Sequence, residues 1–578
     1  MKVVKYIRSI FAGIYASLKR FPITILFSAS VAAMLIVISE TTPREDILGR
    51  IAMILGLGIP ISLCIKLFFE KRDEKNIYKF AAGYISGSLF LILYYFLFLK
   101  NMTMVPVTRY VGVSLILYLA FLFIPYFIKK EQFELYVITV FTGFFITIIY
   151  SVVLQGGLSA ILFTIDKLLG IKILGKVYYY TWLLVIFLFA VSYFLSGIPL
   201  KTGELNLKSY PKLLRILLLY IVMPLLTIYT IILYIFFGKI IVTMQWPVGL
   251  VSHLVLWYSV IVTIVLFFIT PIKDENIWQN KFFKFSPKII LPLIIMMFIS
   301  IGIRINAYGV TEKRYFVVIL ALWVFCIMLY FSFAKKLRNI VIPITLSIVT
   351  LISIFGPVSS YSISKMSQNN RFEKILVKDN MIKDGKIQSS LDISQEDKAQ
   401  ISSILDYFNR NHSLKDVKYL PENFKLEDMK KVFGFEYVVP NYLGPEGFFN
   451  FMRDPSERVV DIKGYDYLFD MRTLNGEGTV SNAPLTANYN YETAVVKINY
   501  HGTEVYTKDL NSFARNLFHK QSAALNKNFI SPEDMTFVEE NDKVSVKFIL
   551  LNVAGSKNPS SGELNTNGIE FYILVKIK

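Results

Sequence analysis

Eleven apolar runs separated by short polar segments constrain the fold of this 578-residue chain more than any other feature. At a helical rise of about 1.5 Å per residue, each run crosses or nearly crosses the roughly 30 Å hydrocarbon core of a bilayer. A spanning segment must pair its own backbone groups, so the runs predict helices. The runs are 21–39, 47–67, 80–99, 110–128, 135–154, 178–200, 216–242, 250–269, 289–303, 316–333 and 340–355. They predict a membrane all-α helical bundle of about eleven transmembrane helices.

The ends of the chain differ from this pattern. Residues 1–20 place apolar side chains at helical spacing among Lys and Arg, which predicts a basic amphipathic helix on an anionic membrane surface. The run 21–39 lacks a small-residue cleavage site, so we interpret it as a retained span and not as a signal peptide. The predicted domains are therefore the helix 1–20, a polytopic transmembrane domain 21–358 and a soluble α+β domain 359–578.

The soluble domain combines helices with an antiparallel sheet. Residues 366–381 predict a connector helix, and Ser394 is a typical amino-terminal cap for the next one. Residues 426–433 and 509–521 predict further helices, and the residues from Tyr500 to Thr503 predict a hairpin turn. Segments rich in β-branched and aromatic residues predict strands at 459–462, 494–500, 504–507, 544–551 and 569–577.

The distribution of charge excludes one class of partner. The net charge is +19, but residues 1–365 hold 35 Lys and Arg against 13 Asp and Glu, while residues 366–578 hold 26 against 29. The basic excess therefore lies in the short loops of the membrane part, where orientation signals belong, and we expect no nucleic-acid partner. Cys64 and Cys326 both lie inside apolar runs, so we expect no disulfide, metal site or cofactor.

The basic residues also predict an orientation. The amino terminus and alternate loops hold 23 Lys and Arg, whereas the intervening loops hold 11. By the positive-inside rule the amino terminus is cytoplasmic, and with eleven spans the soluble domain is extracytoplasmic. Residues 158–169 carry Asp166 and Lys167 in an amphipathic pattern, which predicts a separate helix lying flat on the membrane surface.

The most polar connection between spans is the candidate site. The segment 303–315 should form the tip of a helical hairpin, with Gly309 at the turn. One interpretation makes its Arg and Tyr side chains interfacial anchors, and the other makes the segment a ligand-binding or domain-docking loop. An alternative to docking is an ion pair between Arg304 and Glu312 that only stabilises the hairpin. The candidate residues are Arg304, Asn306, Tyr308, Glu312, Arg314 and, from the preceding external loop, Trp246.

Several motifs resemble a known family. They are the segments 303–315, Trp246 to Ser252, Gly356 to Ser360, Gly156 to Leu162 and Phe194 to Pro199. In this order they resemble an uncharacterised family of bacterial polytopic membrane proteins, domain-of-unknown-function family 4153, over about residues 21–368. The resemblance implies a multi-pass protein of the bacterial cell membrane. The family has no established activity, so no catalytic residue is implied.

Three functions fit these observations. The first is a cell-envelope binding or sensing protein without catalytic activity, whose extracytoplasmic domain engages a lipid, a wall polymer or a protein partner. The second is a transporter or flippase of an amphipathic substrate. No acidic residue lies near a predicted bilayer midplane, which disfavours ion-coupled transport.

A helix break at Gly56–Pro60 would favour transport, whereas a packing kink there would not. The third function is an enzyme acting on a lipid-linked substrate, for which the first external loop offers only Glu40, Glu45 and Asp46. The residues favour no particular oligomeric state, and the membrane lipids are partners in each case.

Overall fold

The chain forms two compact units, Met1–Arg371 and Phe372–Lys578. The computed structural model describes residues 2–41, 46–72, 74, 76–127, 132–199, 210–244, 250–390, 393–438, 448–455, 459–472, 477–491, 493–524, 529–557 and 564–578. Each unit has its own hydrophobic cores.

The first unit is all helical. An amphipathic helix, α1, precedes the apolar helices, and the last helix, α15, contains the boundary between the two units. The helices are α1 (Lys2–Arg20), α2 (Pro22–Glu40), α3 (Asp46–Glu70), α4 (Ile77–Phe98), α5 (Met104–Phe123), α6 (Phe133–Leu168), α7 (Gly175–Leu184), α8 (Val191–Ser196), α9 (Lys212–Ile216), α10 (Met223–Thr243), α11 (Leu250–Ile269), α12 (Ile277–Tyr308), α13 (Glu312–Phe333), α14 (Val341–Ile354) and α15 (Ser360–Lys378). The π-helical segments Val185–Ala190 and Leu217–Val222 join α7 to α8 and α9 to α10.

The predicted membrane bundle is confirmed. Within the described residues, ten helical segments are long and apolar enough to cross a membrane. The eleventh predicted span corresponds to α14, which has 14 residues and is about 21 Å long. It is shorter than the roughly 30 Å hydrocarbon core of an average bilayer.

The separate surface helix predicted at residues 158–169 is wrong. These residues are the last third of α6, which runs without a break through 36 residues. Gly156 and Gly157 do not end the helix, because glycine weakens a helix by only about 1 kcal/mol and keeps its backbone N–H donor. The Gln155 side chain also donates a hydrogen bond to Ser159, one turn further on.

The motif around Gly58 and Pro60 lies inside α3, where Gly58 allows α3 to pack closely against α2. A Cβ atom built on Gly58 would lie 2.3 Å from the ring of Phe27, so the approach of α3 to α2 requires a glycine there. Pro60 lies inside α3, which continues from Asp46 to Glu70. The broken-helix interpretation of this motif is wrong, and the close contact at Gly58 agrees with a packing role.

The second unit begins with a helical cluster. Its core combines the end of α15 with α16 (Gln395–Asn411) and α17 (Met429–Phe433). Phe372, Leu376 and Phe408 are fully buried in it. Ser394 caps α16 as predicted, because its hydroxyl accepts a hydrogen bond from the backbone N–H of Asp397.

Two largely antiparallel sheets and one helix, α18 (Asn511–Ala524), complete the second unit. One sheet has the order β4-β12-β11-β3-β9 with β10 paired to β11, and the other has the order β5-β6-β7-β8. β3 and β9 form a parallel pair, and the other paired strands are antiparallel. A two-stranded hairpin, β1 with β2, lies in the helical cluster. The strands are β1 (Ile382–Lys383), β2 (Lys386–Ile387), β3 (Phe448–Arg453), β4 (Tyr467–Asp470), β5 (Glu477–Asn482), β6 (Leu485–Asn490), β7 (Val495–Tyr500), β8 (Thr503–Asp509), β9 (Phe529–Ile530), β10 (Thr536–Glu540), β11 (Val544–Lys557) and β12 (Leu564–Ile577).

Alternating burial of side chains shows which face of each strand packs against the core. In β6, Leu485, Ala487 and Tyr489 are fully buried, while the residues between them are half-buried. The predicted hairpin turn joins β7 to β8, with His501 and Gly502 at positive φ. The strand predicted at 459–462 is wrong, because these residues pair with no strand and Val459 is 82% exposed.

Asp397 makes the stability of the second unit depend on pH. Burial raises the pKa of this carboxyl group, but hydrogen bonds from Lys378 and Ser394 outweigh burial and hold the pKa below its usual value. A lowered folded-state pKa gives stability that is complete above the unfolded-state pKa of about 3.9 and is lost as pH falls through the folded-state value.

We expect Asp397→Asn to lower the unfolding temperature of the second unit at pH 7 and to make its decrease below about pH 4 shallower. Thermal melts followed by circular dichroism across pH 3 to 7 (~0.5-unit steps) measure this. Asp542→Asn, at an exposed position in the turn before β11, is the matched control. Parallel pH profiles for Asp397→Asn and the unsubstituted protein would contradict the role of Asp397.

Candidate functional site

The hairpin between α12 and α13 has the predicted glycine turn. Gly309 has φ +68° and ψ 176°, a conformation that is almost restricted to glycine. Nη1 of Arg314 donates hydrogen bonds to the carbonyl oxygens of Tyr308 at 3.1 Å and Gly309 at 2.7 Å. Its guanidinium also lies 5.5 Å from the centre of the Tyr308 ring. Arg314 therefore closes the turn from the α13 side.

The first half of α15 holds the same turn from the other side. Nε2 of Gln368 donates to the carbonyl oxygens of Tyr308 at 3.2 Å and Val310 at 3.0 Å. The backbone N–H of Val310 donates to the Ser367 hydroxyl at 2.9 Å. A Cβ atom on Gly309 would lie 2.8 Å from Nε2 of Gln368, so the glycine also makes room for this contact.

The structure brings together three of the six predicted site residues. Tyr308, Glu312 and Arg314 surround the turn; Tyr308 is half exposed and Glu312 is buried. Asn306 is exposed on the last turn of α12. Trp246 lies outside the described residues.

Arg304 does not form the ion pair that was considered with Glu312. Among the residues that the structure describes, the buried Nε of Arg304 has no hydrogen-bond partner, and no ion pair joins it to Glu312. Arg304 therefore keeps hydrogen-bonding capacity near the turn.

A buried polar cluster beside the hairpin was not predicted from the sequence. Nε of Arg109, near the start of α5, donates to the carbonyl oxygen of Ile354 at 3.1 Å. The guanidinium lies 5.9, 5.4 and 5.2 Å from the ring centres of Phe98, Phe355 and Tyr361, which is within the range of cation–π attraction. Arg109 therefore ties the end of α14 and the start of α15 to α4 and α5.

Two buried hydroxyl groups in this region, those of Tyr94 on α4 and Ser364 on α15, lack hydrogen-bond partners in the part of the chain that the structure describes. Burial raises the pKa of Tyr361, and the positive charge of Arg109 opposes that rise. Buried hydroxyl groups of this kind usually bind water or a polar ligand. The sequence signal was the serine repeat at 359, 360, 362 and 364 directly after an apolar run.

The first unit also contains a large apolar cavity of about 720 Å³. Its walls come from α2, α3, α5, α6 and the segment from Trp182 to Leu195. The lining residues are Thr24, Ile59, Leu63, Tyr118, Phe121, Leu122, Val137, Val140, Phe141, Phe144, Thr147, Ile148, Ser151, Val152, Gln155, Trp182, Val185, Ile186, Ala190, Val191, Phe194 and Leu195. A volume of this size falls within the roughly 300–1,000 Å³ of small-molecule sites.

No metal-binding cluster was found: the described residues contain no group of three or more His, Cys, Asp or Glu that could hold an ion. Cys64 is buried and Cys326 is exposed, and neither is part of a disulfide.

Comparison with known proteins identifies the family. The family model described as "Domain of unknown function (DUF4153)" matches residues 25–383, well over half of the chain. The chain belongs to this family. The DUF4153 match covers all the helices from α3 to α15 and therefore includes the hairpin, the Arg109 cluster and every residue that lines the cavity except Thr24.

A relative in the same comparisons is likewise uncharacterised. "Uncharacterized protein PM1469" of Pasteurella multocida (strain Pm70) is 22% identical over 391 residues, which is 67% of this chain and 64% of that protein. The chain thus matches less than two thirds of the relative's length. No solved structure matches this DUF4153 protein significantly.

Proposed function

We propose that this protein is a binding or sensing protein of the bacterial cell envelope. The first unit spans the cell membrane with the amino terminus in the cytoplasm, and the second unit lies on the extracytoplasmic side of the membrane. There it engages a lipid, a wall polymer or a protein partner. The hairpin residues Arg304, Asn306, Tyr308, Glu312 and Arg314 form a candidate ligand surface on the outer side.

The contact of Arg109 with Ile354 is the main support for placing the second unit on the extracytoplasmic side. Eleven crossings require α14, despite its 14 residues, to end on the outer side, where α5 begins. The hydrogen bond from Arg109, near the start of α5, to the last residue of α14 supports that arrangement. The chain that follows α14 then continues on the side opposite to the amino terminus.

Other polar contacts in the first unit agree with this topology. Arg20 pairs with Glu70 and Arg215 pairs with Glu275, and the topology assigns all four residues to the inner side. Lys176 pairs with Glu40, and both belong to the outer side. These contacts support the assignment of the loops to two sides, and the excess of Lys and Arg in one set of loops favours the cytoplasm for that side and for the amino terminus.

Binding by the full chain in nanodiscs tests the proposal. The matched control is a variant that ends at Arg371 and lacks the second unit. The probes are purified wall sacculi, phosphatidylglycerol vesicles and a membrane-impermeant crosslinker applied to intact cells. We expect the full chain to retain one of these ligands and the shortened chain to lose it. Equal retention by both chains in all three assays would contradict the proposal.

The cavity favours a second candidate, a transporter or flippase of an amphipathic substrate. Its lining extends along α6 from Val137 to Gln155, about 27 Å at 1.5 Å per residue, which is nearly the hydrocarbon thickness. Proteoliposomes carrying fluorescent phospholipids separate the candidates. Protein-dependent movement of lipid between the leaflets would support the flippase, and its absence supports a binding role.

A further inference from the structure

The apolar cavity of the first unit has the dimensions of a lipid chain. A water molecule takes about 30 Å³ in the liquid, and a methylene group is of similar size. The 720 Å³ of the cavity therefore hold about 24 such groups. Along α6 the lining reaches about 27 Å, from Val137 to Gln155. The cavity is thus long and narrow enough for one extended hydrocarbon chain with a small polar end.

The cavity opens sideways, toward the bilayer. Four of its lining residues lie on the lipid-facing surface of spanning helices: Phe144 is 49% exposed, Ile148 42%, Val152 66% and Trp182 50%. Side chains that are exposed in the middle of a membrane span contact lipid. A hydrocarbon chain therefore enters from the bilayer without crossing water.

A π-helical segment forms part of the cavity wall, and a hydrogen bond from a neighbouring helix holds it in place. Val185, Ile186 and Ala190 line the cavity and belong to the π-helical segment Val185–Ala190. The hydroxyl of Ser28, which is fully buried on α2, donates a 2.5 Å hydrogen bond to the carbonyl oxygen of Phe187 in this segment. Isolated π-helical turns often occur at functional sites, and here a neighbouring helix holds the turn in place.

One polar group at the end of the cavity has spare hydrogen-bonding capacity. Nε2 of Gln155 lies 3.2 Å from the Ser159 hydroxyl and 3.4 Å from the Thr181 hydroxyl. The Thr181 hydroxyl donates its proton to the carbonyl oxygen of Tyr178, so it accepts from Gln155, which fixes the orientation of the amide. Oε1 of Gln155 is buried and has no partner among the described residues.

We propose that this cavity binds one lipid with a single long hydrocarbon chain and an uncharged polar end that carries a hydroxyl or amide N–H donor. The chain lies between α6 and the π-helical segment, and the donor pairs with Oε1 of Gln155. No acidic or basic residue is among the lining residues, so a charged headgroup would have no counter-ion inside the cavity.

Photolabelling of the full chain in nanodiscs tests this inference. The probe is palmitoyl monoacylglycerol with a diazirine in its chain, and the comparison probe has both glycerol hydroxyls methylated. We expect the labelled peptides to come from α6 and from residues 182–195. The hydroxyl probe should label roughly five- to tenfold more than the methylated one, the effect of one buried hydrogen bond. Gln155→Leu should abolish that preference.

Two substitutions that fill the cavity from opposite walls give the decisive comparison. Ser151→Phe on α6 and Ala190→Leu on the π-helical segment should remove most of the labelling, while Val153→Phe should not. Val153 is 69% exposed on α6 and does not line the cavity, so it is the matched control. Thermal unfolding shows which variants are folded.

Labelling that both folded filling variants retain would overturn the cavity assignment. Equal labelling by the two probes would overturn the donor pairing. Neither result depends on the side of the membrane on which the second unit lies, so each is distinguishable from a failure of the envelope-binding proposal.

Discussion

Arg20→Ala is expected to destabilise the first unit by about 3 kcal/mol. Arg20 pairs with Glu70 through Nη2 at 2.6 Å and Nε at 3.2 Å, and its Nη1 donates to the carbonyl oxygen of Ile198 at 2.6 Å. The side chains of Arg20 and Glu70 are only 15% and 20% exposed. Removing the guanidinium leaves a half-buried carboxylate and a carbonyl oxygen without their donor, which is the costly way to break an ion pair.

Thermal unfolding of the purified full-length protein measures this loss. Arg20→Lys should recover only part of it, because an ammonium group cannot make the same forked contact with Glu70. Lys19→Ala is the control, since Lys19 is exposed on the same helix turn and should change stability by less than about 0.5 kcal/mol. Equal effects of Lys19→Ala and Arg20→Ala would refute the role of Arg20.

Gly309→Ala is expected to displace the hairpin from α15 and to lower stability by about 1–3 kcal/mol. An alanine at φ +68° and ψ 176° is strained, and its Cβ atom would lie 2.8 Å from Nε2 of Gln368. The hydrogen bonds from Gln368 to the carbonyl oxygens of Tyr308 and Val310 cannot keep their lengths around that atom. The hairpin should then become more accessible to protease.

Gly302→Ala is the matched control. Gly302 lies on α12, the helix that ends just before Gly309. Its Cβ atom would have no neighbour within 4 Å, and the helix should gain slightly from alanine. Adding Gln368→Ala to Gly309→Ala separates the two causes, because it removes the clash and leaves the backbone strain. If Gly309→Ala and Gly302→Ala were equally stable and equally resistant to protease, the turn would not have the role assigned to it.

The membrane part was predictable because burial in lipid leaves few alternatives. A long apolar run must become a helix, so the spans and the hairpin turn at Gly309 followed from the pattern alone. The length of α6 could not be predicted in this way. Asp166 and Lys167 give its last turns the sequence pattern of a surface helix, although the helix continues through them without a break. The end of a helix depends on local caps that apolar periodicity does not report.

Contacts between distant residues were the least predictable. The cluster around Arg109 joins residues 245 positions apart in sequence, and the cavity is formed by five separate segments. The positions of these residues in the sequence give no sign that they are neighbours in the fold. In the second unit β5 was missed because its sequence, Glu-Gly-Thr-Val-Ser-Asn, has little strand preference, and pairing with β6 decides its structure.

The side of the membrane on which the second unit lies is the central claim, and cysteine labelling in intact cells tests it most directly. In a Cys64→Ser, Cys326→Ser background, Val459→Cys places a thiol at an exposed position of the second unit, and Lys336→Cys places one in the loop between α13 and α14. With a membrane-impermeant maleimide we predict labelling at 459 in intact cells and at 336 only after lysis. Protection of residue 459 until lysis would contradict the claim and place the second unit in the cytoplasm.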